Sequence, residues 1–321
     1  MTQSCPVSAC RPHHFLSVII LSAFLATRIF GQSIEVDRAD LVRNQPGLPT
    51  GQYPSESGVT NGQIVSSPND PDLGEQQILK KSDEYQPFTA SASVPFYYTT
   101  NAALASTDEE DDLLVAPVVA ISYDPRIGKS FFGHFAVRQQ FFFYDRFHDL
   151  NFASFDADVG FSYSLAQFHN LILRAQYEYE RLTDTDDFEE FFSNHALIVN
   201  AEMPFRLNRA QQFSVGVDAN FSIAGEPDSP RRNDYSVYVV YSINVTRALS
   251  VSASGRIAVR DYVPGDRTDI SETLALSANY RVTNWLTASA ISSFSANQSN
   301  HSVFDYEVAN IGGAASLAIK W

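Results

Sequence analysis

The sequence predicts an all-β protein in which residues 87–321 close into an antiparallel up-and-down transmembrane β-barrel of about twelve strands. Three observations predict it. Apolar residues recur at every second position in segment after segment, the period of a strand and not of a helix. Most segments exceed the ~5–6 residues of an ordinary strand and suit the ~9–11 residues that cross a bilayer at a tilt. An apolar run near the amino terminus marks the chain for export.

Bulk composition agrees. The 321 residues carry 22 Lys and Arg against 37 Asp and Glu, a net charge of −15. That balance argues against nucleic acid, because phosphate binding needs clustered Lys and Arg. Mean hydropathy is near zero, as it is where lipid-facing and lumen-facing residues alternate and cancel. Cys5 and Cys10 are the two cysteines, and both precede the apolar run. A mature chain without them has no disulfide, thiol nucleophile or Cys-ligated metal. No cofactor is expected.

The elements follow in order. Arg11, His13 and His14 precede the apolar run Phe15 to Ala26. Gly31 and Ser33 then fit a cleavage site, so residues 1–33 read as a signal peptide. Residues 34–86 are rich in Pro, Gly, Ser, Asn, Gln and Asp without a sustained apolar period. They read as a disordered periplasmic arm or linker, within which Glu75 to Tyr85 is a candidate short helix or docking segment. The strand segments are about 87–99, 113–124, 130–146, 152–165, 170–182, 193–205, 211–224, 234–246, 249–261, 270–282, 285–296 and 304–321.

Connections and faces give a second check. Short turns such as TRA and TNW alternate with longer polar loops such as ASTDEEDD, TDTDDFEEF and EPDSPRRND. Short turns at one rim and long loops at the other are the barrel layout. Leu171, Leu173, Ala175, Tyr177 and Tyr179 form one apolar stripe, interleaved with Arg174, Gln176, Glu178 and Glu180. The apolar stripes must face lipid. Aromatic residues near segment ends, namely Phe88, Tyr98, Tyr123, Phe143, Phe152, Tyr179, Phe205, Phe213, Tyr235 and Trp321, fit interfacial girdles. The third segment is irregular, with Gln139 on the lipid side and Phe132 and Phe142 inside. A bulge near Arg138 to Gln140 is expected there.

The last segment carries a resemblance. Ile311, Gly313, Ala315, Leu317, Ile319 and Trp321 alternate with Ser316, Ala318 and Lys320. This resembles the carboxyl-terminal strand of bacterial outer-membrane β-barrels, which ends on an aromatic residue. The family usually ends in Phe with Tyr two residues earlier, where this chain has Trp321 and Ile319. The resemblance implies an outer-membrane location, contact with outer-membrane lipid, and a role for Leu317, Ile319 and Trp321 as a signal to the barrel-insertion machinery.

Function is expected in the lumen. Hairpin pairing brings Arg138, Arg174, Asp156, Asp158 and Glu178 into one charged patch, with Arg256, Arg260 and Arg281 on another part of the wall. Such charges either select solutes or pair with one another and stiffen a narrow lumen. A small porin or channel for polar solutes or ions is the leading reading, and a non-conducting structural or surface-interaction barrel the alternative. An outer-membrane hydrolase is a distant third. Ser193, Asn194 and His195 superficially fit it, but adjacent strand residues point to opposite faces. His134 is expected in the lumen, and His148, His169 and His301 in turns or loops. No spacing fits a metal.

Overall fold

A computed structural model describes residues 34–43, 59–60, 63–64, 85–263 and 265–321. The signal-peptide expectation and most of the expected arm lie outside them. The barrel strands are β1 (Phe88–Thr99), β2 (Asp112–Val115 continued by Val118–Tyr123), β3 (Phe131–Tyr144), β4 (Phe152–Leu165), β5 (Leu171–Asp184) and β6 (Glu190–Arg206), followed by β7 (Gln211–Glu226), β8 (Arg232–Asn244), β9 (Leu249–Tyr262), β10 (Thr268–Arg281), β11 (Leu286–Ser299) and β12 (Tyr306–Lys320). Each pairs antiparallel with its chain neighbours, and β12 pairs back onto β1 from Asn310↔Thr99 to Lys320↔Thr89. The sheet is a closed barrel.

The two pieces of β2 are one strand. Both pair with β1 and β3. The break falls at Ala116–Pro117, where proline has no N–H to give the ladder. The hydrogen bonds from Ala116 N to Pro95 O (2.9 Å) and from Phe141 N to Pro117 O (2.9 Å) carry the ladder across the break.

Side-chain polarity is inside out. Val94, Phe96, Ile121, Val137, Val237, Ile257, Leu274, Leu276 and Ile311 are exposed on the outer face. Ser93, Ser122, Ser236, Ser252, Ser277, Asn279, Ser295 and Ser316 are buried on the inner one. A soluble sheet hides its apolar residues; this one shows them, which is stable only where lipid replaces water. Rings gather outside at the short-turn rim. Phe88 stacks on Tyr123 at 4.5 Å and on Trp321 at 5.8 Å, and Tyr123 stacks on Phe135 at 6.1 Å. Among the described residues, no helix is long and apolar enough to cross a membrane.

Glycine makes the closing seam possible. A Cβ at Gly312 would sit 1.8 Å from the Phe96 carbonyl oxygen across the β12–β1 junction. Only a residue without a side chain lets the last strand approach the first so closely.

Four expectations need correction. Phe152 is not a girdle residue. It is fully buried inside, stacked on Phe142 at 4.1 Å, because even-numbered β4 residues face the lumen. Arg138 to Gln140 contains no bulge, since β3 keeps unbroken register with both neighbours. The irregularities fall at Leu182/Thr183 and Ser222/Ala224. Most long loops are shorter than expected, since β5 runs on to Asp184, β6 begins at Glu190, β7 reaches Glu226 and β8 begins at Arg232. Ladder hydrogen bonds do not require apolar side chains, so pairing continues into the polar stretches until a tight turn closes it. Lastly, residues 34–43, expected in a disordered arm, form a helix, α1.

Candidate functional site: the occupied mouth of the barrel

α1 lies inside the barrel near the long-loop end. Its partners come from the long-loop ends of strands: Thr99 ends β1, Arg232 opens β8, and Glu180 and Arg260 lie near the ends of β5 and β9. The segment Ile34 to Arg43 has no Gly or Pro, and its apolar residues Val36, Ala39 and Val42 fall at helical spacing. They pack against Phe142, Tyr144, Phe152, Leu182 and Phe192. Leu41 packs on Leu104, Tyr306 and Val308. The loop after β1 folds inward over the helix, burying Asn101, Ala102 and Leu104.

Three charged anchors fix the helix. Asp37 accepts from Arg260 at 3.1 Å and from Arg232, which also pairs with Asp40 and, at 3.1 Å, with Asp234. Tyr262 and Tyr306 hydroxyls lie 3.2 and 3.4 Å from the Arg232 and Arg260 guanidinium groups. Across from this, Arg43 Nη2 lies 2.6 Å from both Asp156 and Glu180 and donates to Ser154 at 2.7 Å. Arg38 donates to the carbonyls of Asn101 (2.6 Å) and Ala102 (3.0 Å), and to Thr99 and Asn310 (both 3.3 Å). Glu35, at the start of α1, has its carboxyl pushed up to about 8 by burial and by the neighbouring Asp184 charge.

The predicted wall charges divide between levels. Asp156 lies opposite Glu180 and Asp158 opposite Glu178, as hairpin pairing requires. Arg138 sits opposite Asp156 and donates to it at 3.2 Å. Arg174 does not join this patch. It binds Glu202 at 2.9 Å and Asn200 at 2.8 Å nearer the short-turn end. Arg256 pairs with Asp218 at 3.1 Å, whereas Arg260 reaches α1. Arg281 is exposed at the short-turn rim, donating to the Arg247 carbonyl at 2.6 Å. His134 lies in the lumen between Asp124 and Asp158. Ser193, Asn194 and His195 do not converge. His195 faces outward beside Tyr177 and Tyr179, and Asn194 accepts from Ser222.

No family model and no curated protein matches the chain. Solved structures do. The COG4313 outer membrane channel from Pseudomonas putida F1 aligns with a TM-score of 0.51 at 12% identity, covering 74% of this chain and 98% of that one. The fold is that of an outer-membrane β-barrel. The NanC porin aligns with a TM-score of 0.43 at 9% identity, over 70% of this chain and 98% of that one. The KdgM porin in complex with disordered oligogalacturonate aligns at 0.40 and 7% identity, over 71% and 98%.

The lumen of the barrel thus has two zones. The short-turn half is walled by small polar side chains such as Ser252, Ser277, Ser289 and Ser316. The long-loop half is narrowed by the stacked Phe142 and Phe152 and filled by α1. Sequence reading missed Asp37, Arg38, Asp40 and Arg43, which anchor the plug. One signal for them is present: Asp37, Asp40 and Arg43 recur every three residues in a stretch without helix breakers. Among the described residues, no cluster of three or more potential ligands fits a metal.

Proposed function

We propose that the protein is a channel of the bacterial outer membrane for small polar solutes or ions, and that α1 holds it closed. A polar inner wall beneath a mouth filled by a separate helix carries the reading. Serines and asparagines leave room for water, and the Arg–carboxylate pairs along the wall set which solutes pass. Both barrel ends lie at the short-turn rim, which the proposal assigns to the periplasm. Leu317 and Ile319 in β12, and Trp321 just after it, are exposed on the outer face, toward lipid and, during assembly, the insertion machinery.

Planar-bilayer recording tests the reading. The full chain is expected to conduct rarely, and a chain lacking residues 34–43 to conduct steadily. The ion-paired seating of α1 favours one rival, a permanently closed structural barrel. That rival is established if the folded deletion variant never conducts.

A further inference from the structure

The docking of α1 has the chemistry of a bound zwitterion. Asp37 presents a carboxylate to Arg232 and Arg260, and Arg43 presents a guanidinium to Asp156 and Glu180. Both wall sets belong to the barrel: β8 and β9 supply the cationic half, β4 and β5 the acidic half, with β6 and β7 between them. Tyr262 and Tyr306 hydroxyls complete the first half, and the Ser154 hydroxyl the second. All four charged wall groups are buried.

Closing a pore needs no charge, yet the docking of this helix runs through paired charges as well as through Val36, Ala39 and Val42. The wall charges stay when the helix leaves. Asp234 stays beside Arg232, and Arg138 beside Asp156. On the cationic side Arg260 loses the Asp37 carboxylate, and on the acidic side Glu180 loses the Arg43 guanidinium. With the helix gone these groups face the lumen as unneutralised charges, which draw in ligand charge of the opposite sign. A single molecule that carries both signs satisfies both halves at once. Asp37 and Arg43 are six residues apart, about 9 Å along a helix, a span on the scale of a short peptide.

We propose that the mouth is a binding site for solutes bearing a carboxylate and a guanidinium or ammonium group, the class of cationic amino acids and short peptides, and that α1 is its internal occupant. The proposal rests on the channel reading, since the helix must vacate the mouth for a solute to enter.

The test uses the full chain carrying Asp37→Asn and Arg43→Gln, folded in detergent, with helix release confirmed by trypsin cleavage at Arg38. Equilibrium dialysis measures three probes, each N-acetylated so that no α-ammonium is present: arginyl-glycine, arginyl-glycinamide without the carboxylate, and citrullyl-glycine without the cation. The expected result is saturable binding of the first and at least about tenfold weaker binding of the other two. Adding Arg260→Gln abolishes the discrimination against the amide, and adding Glu180→Gln abolishes that against the citrulline probe. Equal binding of all three, or no saturable binding of arginyl-glycine, overturns the site. Should a wall variant fail to fold, the three-probe comparison on the helix variant decides alone. Dialysis does not depend on conductance. A barrel that binds but never conducts therefore refutes the channel, and one that conducts without discriminating refutes only the site.

Discussion

Asp37 is the residue on which most of the plug converges. Its carboxylate joins two arginines from neighbouring strands, and all three side chains are buried. Replacing it with Ala leaves Arg232 and Arg260 sharing a buried space with one fewer counter-charge. Removing one partner of a buried pair costs about 3–5 kcal/mol. The cost falls on docking and not on the barrel, whose ladder is untouched. Asp37→Ala is therefore expected to expose Arg38 and Arg43 to trypsin while the barrel keeps its folded migration on unheated gels. Glu35 gives docking a pH dependence. Its carboxyl in the docked helix sits at about 8, above the ordinary 4.5. Between those values the docked helix holds a proton that the released helix gives up, so docking weakens as pH rises from about 4.5 to about 8 and levels off above. Glu35→Gln mimics the protonated form and removes the slope. The check is the ratio of wild-type to Glu35→Gln trypsin cleavage at Arg43, which should climb with pH; a flat ratio contradicts the assignment.

α1 shows at the element scale why the plug was hidden and the strands were not. Alternation is written locally: each lipid-facing position in β4, β5, β7 or β9 is visible two residues from the next. A ten-residue helix is marginal by itself and takes its stability from tertiary contacts. Those contacts are distant in the chain, 61 residues for Arg38–Thr99 and 272 for Arg38–Asn310, and the three-residue spacing of Asp37, Asp40 and Arg43 does not say where the helix docks. The same limit explains Arg174. The β3–β4 register is not written locally: it sets Arg138 opposite Asp156 but Phe132 opposite Ser162, the partner of Arg174, so the two arginines lie six residues apart along β3. Phe152 follows the parity of its own strand, where Phe155, Val159 and Phe161 already put odd residues outside and even ones inside. Helix integrity follows as a test. Ala39 is completely buried at the middle of α1. Proline there removes a backbone donor and clashes with the preceding turn, costing about 3 kcal/mol. Ala39→Pro is expected to raise single-channel open probability toward that of the deletion variant, and an unchanged record would show that α1 does not close the pore.

Closure and inverted polarity are properties of the whole molecule, and they make opposite demands on the two faces of one strand. Leu274 in β10 is 63% exposed and cross-strand from Gly255 and Phe294. Ser277, three residues on, is buried on the inner face beside Asn279. In a soluble sheet with the same coordinates, arginine at position 274 would reach water and improve solubility. In a bilayer it places a charge among acyl chains, at a cost of roughly 2–4 kcal/mol near the midplane. Leu274→Arg is therefore expected to lower the unfolding free energy, measured by denaturant titration in lipid vesicles, by that amount and to shift the midpoint down with it. Ser277→Asn, which adds a polar group to a wet wall, should leave the midpoint nearly unchanged and alter only conductance. The seam sets a third demand. Gly312→Val drives side-chain carbon into the Phe96 carbonyl, and because β12 bonds to both β11 and β1, the collision opens the ring and not one hairpin. An open edge inside a bilayer has unpaired N–H and C=O groups that nothing in lipid can satisfy. Gly312→Val should therefore abolish the heat-modifiable folded form, whereas the same change at Gly128, in a turn where an added Cβ meets only Phe131 at 3.8 Å, should preserve it. Loss at both positions would mean that the seam is not what limits assembly.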